Sequence, residues 1–414
     1  MSWITDLWKK IKRWIKDQGI FAPPEPDPEP DPAPPPEPEP PPPPAPTPDP
    51  PGPDPAPDHY YICGMGDPED ILFRGDKYAI LDHLIRYGGN CIYAIACSIK
   101  GDFDGNPFKN RDPRQGLDPR RMADWKAFFA KADAAGITTY LFRTDDNVDI
   151  GGDRNRVTAV DDLYVRQLVE YFGHIKHLVW VIAEEWSEAL SAAKAEALAR
   201  LFHDYDAGCH RIGIHAHSGI HFPFAGSSYI KEQLIQLNKV DRDVLHREMV
   251  KAVQNAGGRY RVTLAESTHP GSDEYGHGKV MRLKNWACGM AGAGIMVYCR
   301  GRFNVNAEDL AALRIQQRWF EAVTDYPEMI NMDGLAAAAT EYVMKCPAKD
   351  SWLLYASDAG PLSVQYSLSG DYKVSWYDCR DGQRYDEMIR LAGGVVLHRP
   401  NGFGPETACW LRRI

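Results

Sequence analysis

The sequence predicts a (β/α)8 barrel followed by a small antiparallel β-sandwich, preceded by an amphipathic helix and a proline-rich linker. Three observations lead to this prediction. Short apolar or aromatic runs alternate with helical stretches eight times after residue 59, the helical pattern stops near residue 330, and prolines crowd residues 22–58. Buried parallel strands read as continuous apolar runs, and strand–helix alternation predicts a parallel sheet. Eight such units in about 270 residues fit a closed barrel better than an open sheet.

The first 20 residues have apolar side chains at helical spacing and five basic side chains on much of the remaining surface. Such a basic amphipathic helix could dock to a protein assembly, self-associate or lie on a membrane surface, or it could have no binding role. Residues 21–58 contain nine acidic residues and no Lys or Arg. Proline favours the polyproline II conformation and like charges repel, so we expect an extended spacer with a reach of about 100 Å.

The barrel is expected to span residues 59–330 and the β-sandwich residues 331–414. Helical spacing is clearest at 119–136, 187–208 and 307–323. The first strand is not followed by a glycine-rich dinucleotide fingerprint, which disfavours an open nucleotide-binding sheet. The predicted barrel strands, in order, are 60–66, 90–99, 137–145, 178–183, 211–217, 233–238, 261–265 and 294–299.

Composition and charge narrow the functional classes. The 414 residues are 44% apolar, which is typical of a globular protein with more than one domain. No apolar run reaches the roughly 18 residues of a membrane span, and no secretory signal is recognised, so the sequence does not indicate a location. The nine cysteines are scattered without CxxC spacing, which predicts reduced and mostly buried thiols. Most of the net charge of −10 belongs to residues 21–58, and the mildly acidic remainder argues against a nucleic-acid partner.

Polar side chains end several of the predicted strands. Since barrel enzymes work at the carboxyl ends of their strands, these residues are candidates for chemistry. Carboxylic acids on opposite sides of one barrel mouth are what glycosidic-bond cleavage requires, because one protonates the leaving oxygen while the other attacks carbon or activates water. The candidates are Asp67, Arg143, Glu184, Glu185, His215, His217, Glu266 and Tyr298.

The stretch from Trp180 to Glu185 resembles the strand-4 motif W-x-x-x-N-E of clan A glycoside hydrolases. This resemblance implies that Glu185 is the general acid/base and that Glu266, at the end of strand 7, is the nucleophile of a retaining reaction. Glu184 stands where the clan has asparagine, so its role is either contact with the substrate or pairing with an arginine. Asp67, Arg143, His215, His217 and Tyr298, which also follow or end strands, are candidates for binding the sugar at the cleaved bond. The alternative is structural, because buried Asp–Arg and His–Asp pairs also tie barrel strands together. No cofactor is implied.

Longer stretches narrow the resemblance. Residues 64–108, with Gly66-Asp67 and Gly105-Asn106-Pro107-Phe108, resemble the opening of apiosidase-like glycoside hydrolases, and residues 281–303 resemble their passage into strand 8. Residues 375–382 resemble a turn of the C-terminal β domain that accompanies these barrels and is labelled collagen-binding. Cys379 replaces the proline of that turn, and we do not predict collagen binding.

Two other interpretations stay open. His215-x-His217 is the type of pair that binds a metal in amidohydrolase barrels, although there it ends strand 1 and here it ends predicted strand 5. The alternative that the barrel binds glycans without cleaving them is not excluded by the sequence. In either case the order of helix, spacer and barrel predicts attachment to a larger assembly, and phage particles that degrade host surface glycans have comparable layouts.

Overall fold

The computed structural model describes residues 59–66, 69–99, 101, 103–272, 275–297 and 306–414. The predicted helix at 1–20 and the linker at 21–58 lie outside the described residues, as do the candidates Asp67 and Tyr298. The predicted barrel and the C-terminal antiparallel β domain are confirmed. In the described part of the chain, no helix is long and apolar enough to cross a membrane.

Eight parallel strands close into the barrel in chain order, with β1 pairing β8. All eight overlap the apolar runs that predict them, because a strand covered on both faces needs apolar side chains along its whole length. The strands are β1 (Cys63–Met65), β2 (Cys91–Ile95), β3 (Thr138–Phe142), β4 (Leu178–Val181), β5 (Arg211–His215), β6 (Ile230–Leu237), β7 (Arg261–Ser267) and β8 (Gly294–Val297).

In the described part of the chain, seven α-helices cover the barrel. They are α1 (Lys77–Tyr87), α2 (Pro119–Ala134), α3 (Ala159–Phe172), α4 (Ala192–Tyr205), α5 (Arg242–Ala256), α6 (Gly278–Met290) and α7 (Ala307–Ala322). The link from β5 to β6 differs from the predicted alternation, since residues 216–229 form turns and bends without a helix. Gly, Pro and Ser interrupt this link and leave no helical spacing of apolar residues.

Side chains of the barrel strands alternate between its interior and the surrounding helices. Tyr140 and Phe142 of β3 belong to the interior cluster, whereas Leu141 packs in the larger core under the helices. The interior also holds the buried Glu232, which accepts hydrogen bonds from Tyr140 Oη at 2.9 Å and Thr263 Oγ1 at 2.6 Å. The barrel interior is therefore a packed core, so a ligand can be bound only at the ends of the barrel.

The C-terminal strands form one antiparallel sheet in the order β10-β13-β15-β12-β11-β9, with β14 on the second edge of β13. Strand β13 is long and carries an irregularity between Val364 and Leu368, so different parts of it pair with β10 and β15. The strands are β9 (Ile330–Asn331), β10 (Ala336–Ala338), β11 (Tyr342–Cys346), β12 (Ser351–Ala356), β13 (Leu362–Asp378), β14 (Arg384–Leu397) and β15 (Thr407–Arg413).

The central strand β12 of this sheet is buried on both faces. On one face Tyr355 stacks on Trp286 of α6 with ring centroids 5.3 Å apart, and Tyr377 stacks on Trp319 of α7 at 4.8 Å. The opposite face, which includes Trp352, encloses a separate apolar cluster of the sheet. Because neighbouring structure covers both faces, all six residues of β12 are buried, whereas a strand with one exposed face would show alternating burial.

All eight described cysteines are free, and seven of them are buried. This agrees with the predicted reduced thiols. Cys209, the exposed one among them, lies after α4.

Candidate active site

The backbone that follows β4 is fixed by hydrogen bonds to residues at the ends of both neighbouring strands. The backbone N–H of Glu184 donates to the carbonyl of Thr144 at 2.9 Å, and that of Trp186 donates to the carbonyl of His215 at 3.2 Å. Between them Glu185 has a φ of +33°, in the left-handed region that a residue with a Cβ rarely occupies. The strained residue breaks the alternation of the strand, so consecutive glutamates both lie at the barrel mouth.

Glu184 is buried in a group of carboxyl side chains. Its Oε1 accepts a hydrogen bond from Tyr93 Oη at 2.7 Å, and its carboxyl also hydrogen-bonds that of Asp145. Burial raises the pKa of Glu184 well above its ordinary value, and the Glu69 carboxylate and the bond to Asp145 raise it further. This shift favours the protonated form of Glu184, which can donate as well as accept a hydrogen bond.

Glu266 reaches the mouth because of a β-bulge in β7. Ile235 of β6 pairs with Leu264, but the next residue, Gln236, pairs with Glu266, which leaves Ala265 as an extra residue. Ala265 already faces the interior, so without the bulge Glu266 would point to the helices. The bulge re-aims this carboxylate into the barrel mouth, where Asn238 Nδ2 donates to its Oε1 at 2.8 Å.

Strand β6 connects the two glutamates. The side-chain amide of Gln236 hydrogen-bonds Glu185, and Asn238, two residues on, holds Glu266. Neither residue was among the candidates from the sequence. The sequence could have indicated both residues. Leu234 faces the barrel interior, and Gln236 and Asn238 follow it at intervals of two, so they are polar side chains on the inward side at the end of the strand.

Glu185 is paired with a histidine. His217 Nδ1 contacts Oε2 of Glu185 and lies 3.0 Å from Oε1 of Glu188. Burial raises the pKa of Glu185, although the bonds from His217 and Gln236 oppose that rise, and the nearby Glu266 charge adds to it. The hydrogen bond to Glu185 raises the pKa of His217. The protonation of Glu185 and that of His217 therefore depend on each other.

His215 has a different role from His217. It is fully buried, and its Nδ1 accepts from the backbone N–H of Glu185 at 3.3 Å. Burial lowers the pKa of His215 to about 3, so the ring is neutral and Nε2 carries the proton. In the described part of the chain Nε2 has no hydrogen-bond partner. His215 thus supports the strained backbone of Glu185.

Arg143 points away from the mouth. It follows the inward-facing Phe142 and is fully buried, with its guanidinium 3.6 Å from Asp161 of α3. Asp161 also pairs with Lys194 of α4 at 3.1 Å and caps α3 through Thr158. Arg143 therefore lies where a buried ion pair would link β3 to the helices. This is the structural role that the sequence left open as the alternative to sugar binding.

Two groups in the described residues have ligand atoms within 4.8 Å of one another, as a metal ion would require: Glu185 with Glu188 and His217, and Glu69 with Asp145 and Glu184. His217 of the His-x-His pair belongs to the first group, whereas His215 is in neither. Trp186, next to Glu185, packs edge-on against Phe224 with ring centroids 5.0 Å apart.

The fold resembles solved carbohydrate enzymes at low sequence identity. One structure named as a glycoside hydrolase superposes with a TM-score of 0.60 at 13% identity, covering 81% of this chain and 88% of that chain. A glycoside hydrolase family 5 protein from Bacteroides vulgatus ATCC 8482 gives a TM-score of 0.60 at 12% identity, covering 85% and 89%. No protein-family model matches the chain, and neither does any curated protein. At such identity the comparisons show the shared barrel architecture.

Proposed function

We propose that the protein is a glycoside hydrolase that cleaves a poly- or oligosaccharide with retention of configuration. One observation carries the proposal: Glu185 and Glu266, from the ends of β4 and β7, are held at one mouth by Gln236 and Asn238 of the strand between them. A paired acid and nucleophile at a barrel mouth is the arrangement that retaining glycosidases require. The names of the structural neighbours agree with this reaction class.

In the first step Glu266 is the nucleophile. Asn238 occupies its Oε1, which leaves Oε2 to form a bond to the anomeric carbon as the bond from that carbon to the leaving oxygen breaks. Glu185 donates its proton to the leaving oxygen. The raised pKa of Glu185 keeps a proton available for this transfer. The products are a glycosyl ester on Glu266 and the free leaving alcohol.

In the second step Glu185, now a carboxylate, takes a proton from water. The water oxygen bonds to the anomeric carbon and the ester bond to Glu266 breaks, which restores both glutamates. His217 stabilises the carboxylate form of Glu185 between the two steps, because its Nδ1 contacts Oε2. Two inversions at one carbon give net retention.

Glu184 is the candidate contact for a sugar hydroxyl next to the reacting carbon. In its protonated form Glu184 offers both a donor and an acceptor, which is what the amide of an asparagine offers at the same place. His217 and the undescribed Asp67 and Tyr298 stay candidates for the same sugar. Arg143, fixed against Asp161, is assigned to the fold instead.

A mass-spectrometric screen for saccharides released from plant and bacterial polysaccharides tests the function. We expect release by the wild type, and none by Glu185→Gln or Glu266→Gln. Glu170→Gln, an exposed change of the same kind on α3, serves as the control and should release as the wild type does. Release by both site variants would refute the assignment. Glycan binding without release in any variant would favour the non-catalytic barrel, and loss of release on chelation would favour a metal hydrolase.

A further inference from the structure

A cavity opens at the opposite end of the barrel from the two glutamates. Its volume is about 790 Å³, and it is bordered by the first residues of strands, including Arg211 of β5 and Arg261 of β7. Glu266 ends the same strand β7 that Arg261 begins, five residues away, which corresponds to roughly 16 Å. The residues that join the barrel to the C-terminal sheet, Tyr326–Asn331, complete the wall.

The wall of this basic cavity carries four cations and a single acid among its described residues: Arg211, Lys231, Arg259, Arg261 and Glu328. Two of these charges are already neutralised. Arg211 pairs with the buried Glu232 at 2.7 Å, and Glu328 lies 3.5 Å from Lys349. The charge of the cavity therefore depends on the three remaining cations.

Among the described residues, these three cations donate hydrogen bonds to backbone carbonyls, and the Arg259 guanidinium also lies over the Tyr260 ring, 5.9 Å from its centroid. Arg261 Nη1 donates to the carbonyl of His59 at 2.7 Å, and Lys231 Nζ to that of Ser227 at 3.0 Å. Arg259 donates to the carbonyls of Asn255 and Ala256 on α5. Among the described residues none of the three has a carboxylate within ion-pair distance. Most of their N–H groups are left for a ligand, since a guanidinium has five and an ammonium three.

Three positive charges without an ion-pair partner in the described part of the chain repel each other around one cavity, and the amino-terminal face of a barrel ordinarily serves stability alone. A ligand with several acidic groups would remove that repulsion. Guanidinium groups bind carboxylates and phosphates through paired hydrogen bonds. The volume lies in the range of about 300–1,000 Å³ typical of small-ligand sites. Val250 and Val253 of α5 add an apolar wall.

We propose that the basic cavity binds a small ligand that carries two or more carboxylate or phosphate groups. The site is separate from the barrel mouth, and its ligand need not be the saccharide that is cleaved. Charge attracts the ligand, and the fixed guanidinium groups of Arg259 and Arg261 position its acidic groups.

Isothermal titration of the full chain with citrate and with tripolyphosphate tests the proposal and identifies the kind of acid. We expect one of the two to bind at sub-millimolar concentration. The double variant Lys231→Gln/Arg259→Gln should weaken binding at least about tenfold, the equivalent of 1.4 kcal/mol. Both residues are exposed, so the double variant should fold.

The matched control is Arg120→Gln/Arg247→Gln, which removes the same net charge from exposed positions that do not line the cavity. It should bind as the wild type does, which separates a site from general attraction between opposite charges. Failure of both anions to bind the wild type at millimolar concentration would overturn the proposal. Equal weakening in the two double variants would overturn it as well.

Discussion

The side-chain amide of Asn238 donates a hydrogen bond to Oε1 of Glu266 at 2.8 Å. This contact joins the end of β6 to the carboxylate that a bulge turns into the barrel mouth. It fixes which oxygen of Glu266 is free and restricts its rotation. Asn238 is therefore a positioning residue for the proposed nucleophile.

Asn238→Ala should lower kcat by about 10- to 100-fold with little change in KM, because a hydrogen bond to a charged group contributes about 1.5–3 kcal/mol. Steady-state kinetics on a released-sugar substrate would measure both constants. Asn255→Ala, on the exposed face of α5, is the control and should leave both unchanged. An unchanged kcat in the Asn238 variant would remove it from the mechanism.

Glu184→Gln should stabilise the protein increasingly as the pH rises. The folded state keeps a proton on Glu184 that the unfolded chain loses above its ordinary pKa of 4.5, so unfolding becomes easier as pH rises from there towards the folded pKa. Glutamine cannot ionise and avoids this loss, which is about 1.4 kcal/mol per pH unit. Urea unfolding of both proteins from pH 5 to pH 8 measures the difference. A gap that stays constant with pH would show that Glu184 is not held neutral.

His215→Gln should change acid stability in the opposite sense. The unfolded chain protonates this histidine below pH 6.5, whereas burial keeps it neutral in the fold down to about pH 3. Wild-type stability therefore falls as the pH drops through that window, by about 1.4 kcal/mol per pH unit from this residue. The variant lacks this slope, whatever constant cost the substitution has. Unfolding curves between pH 4 and pH 6.5 measure this pH dependence, and the exposed His203→Gln serves as the control. If the free energy of unfolding changed equally with pH in the wild type and in the His215 variant, the buried neutral histidine would be contradicted.

His217→Gln should move the alkaline limb of the kcat/KM profile to higher pH. The protonated ring next to Oε2 favours the carboxylate form of Glu185, so its removal lets burial raise the pKa of Glu185 further. The acid then keeps its proton to higher pH. A limb that moves to lower pH, or does not move, would mean that Glu185 is not the titrating acid.

The barrel was predictable because its strands are buried on both faces and carry continuous apolar runs. All eight predicted strands coincide with observed ones, from β1 at Cys63–Met65 to β8 at Gly294–Val297. The link 216–229 departs from the pattern, since turn residues replace the helix there. Regular burial leaves a strong signal in sequence, and an irregular link leaves a weak one.

The orientation of site residues was less predictable. Arg143 follows the inward-facing Phe142, so simple alternation already favours the outward direction that it takes. For Glu266 simple alternation gives the wrong direction, because it predicts an outward side chain. The bulge at Ala265 turns this side chain to the barrel mouth. The left-handed backbone at Glu185 is likewise a product of tertiary contacts that no local pattern contains.

The most direct test of the central claim is to trap the covalent intermediate on Glu266. The sugar that the screen identifies would be converted into a 2-deoxy-2-fluoro glycoside with an activated leaving group, which slows the second step more than the first. Mass spectrometry of the digested protein should find the glycosyl adduct on the peptide that contains Glu266, and on no peptide of Glu266→Gln. An adduct on another residue, or hydrolysis to a product of inverted configuration without any adduct, would contradict Glu266 as the nucleophile of a retaining reaction.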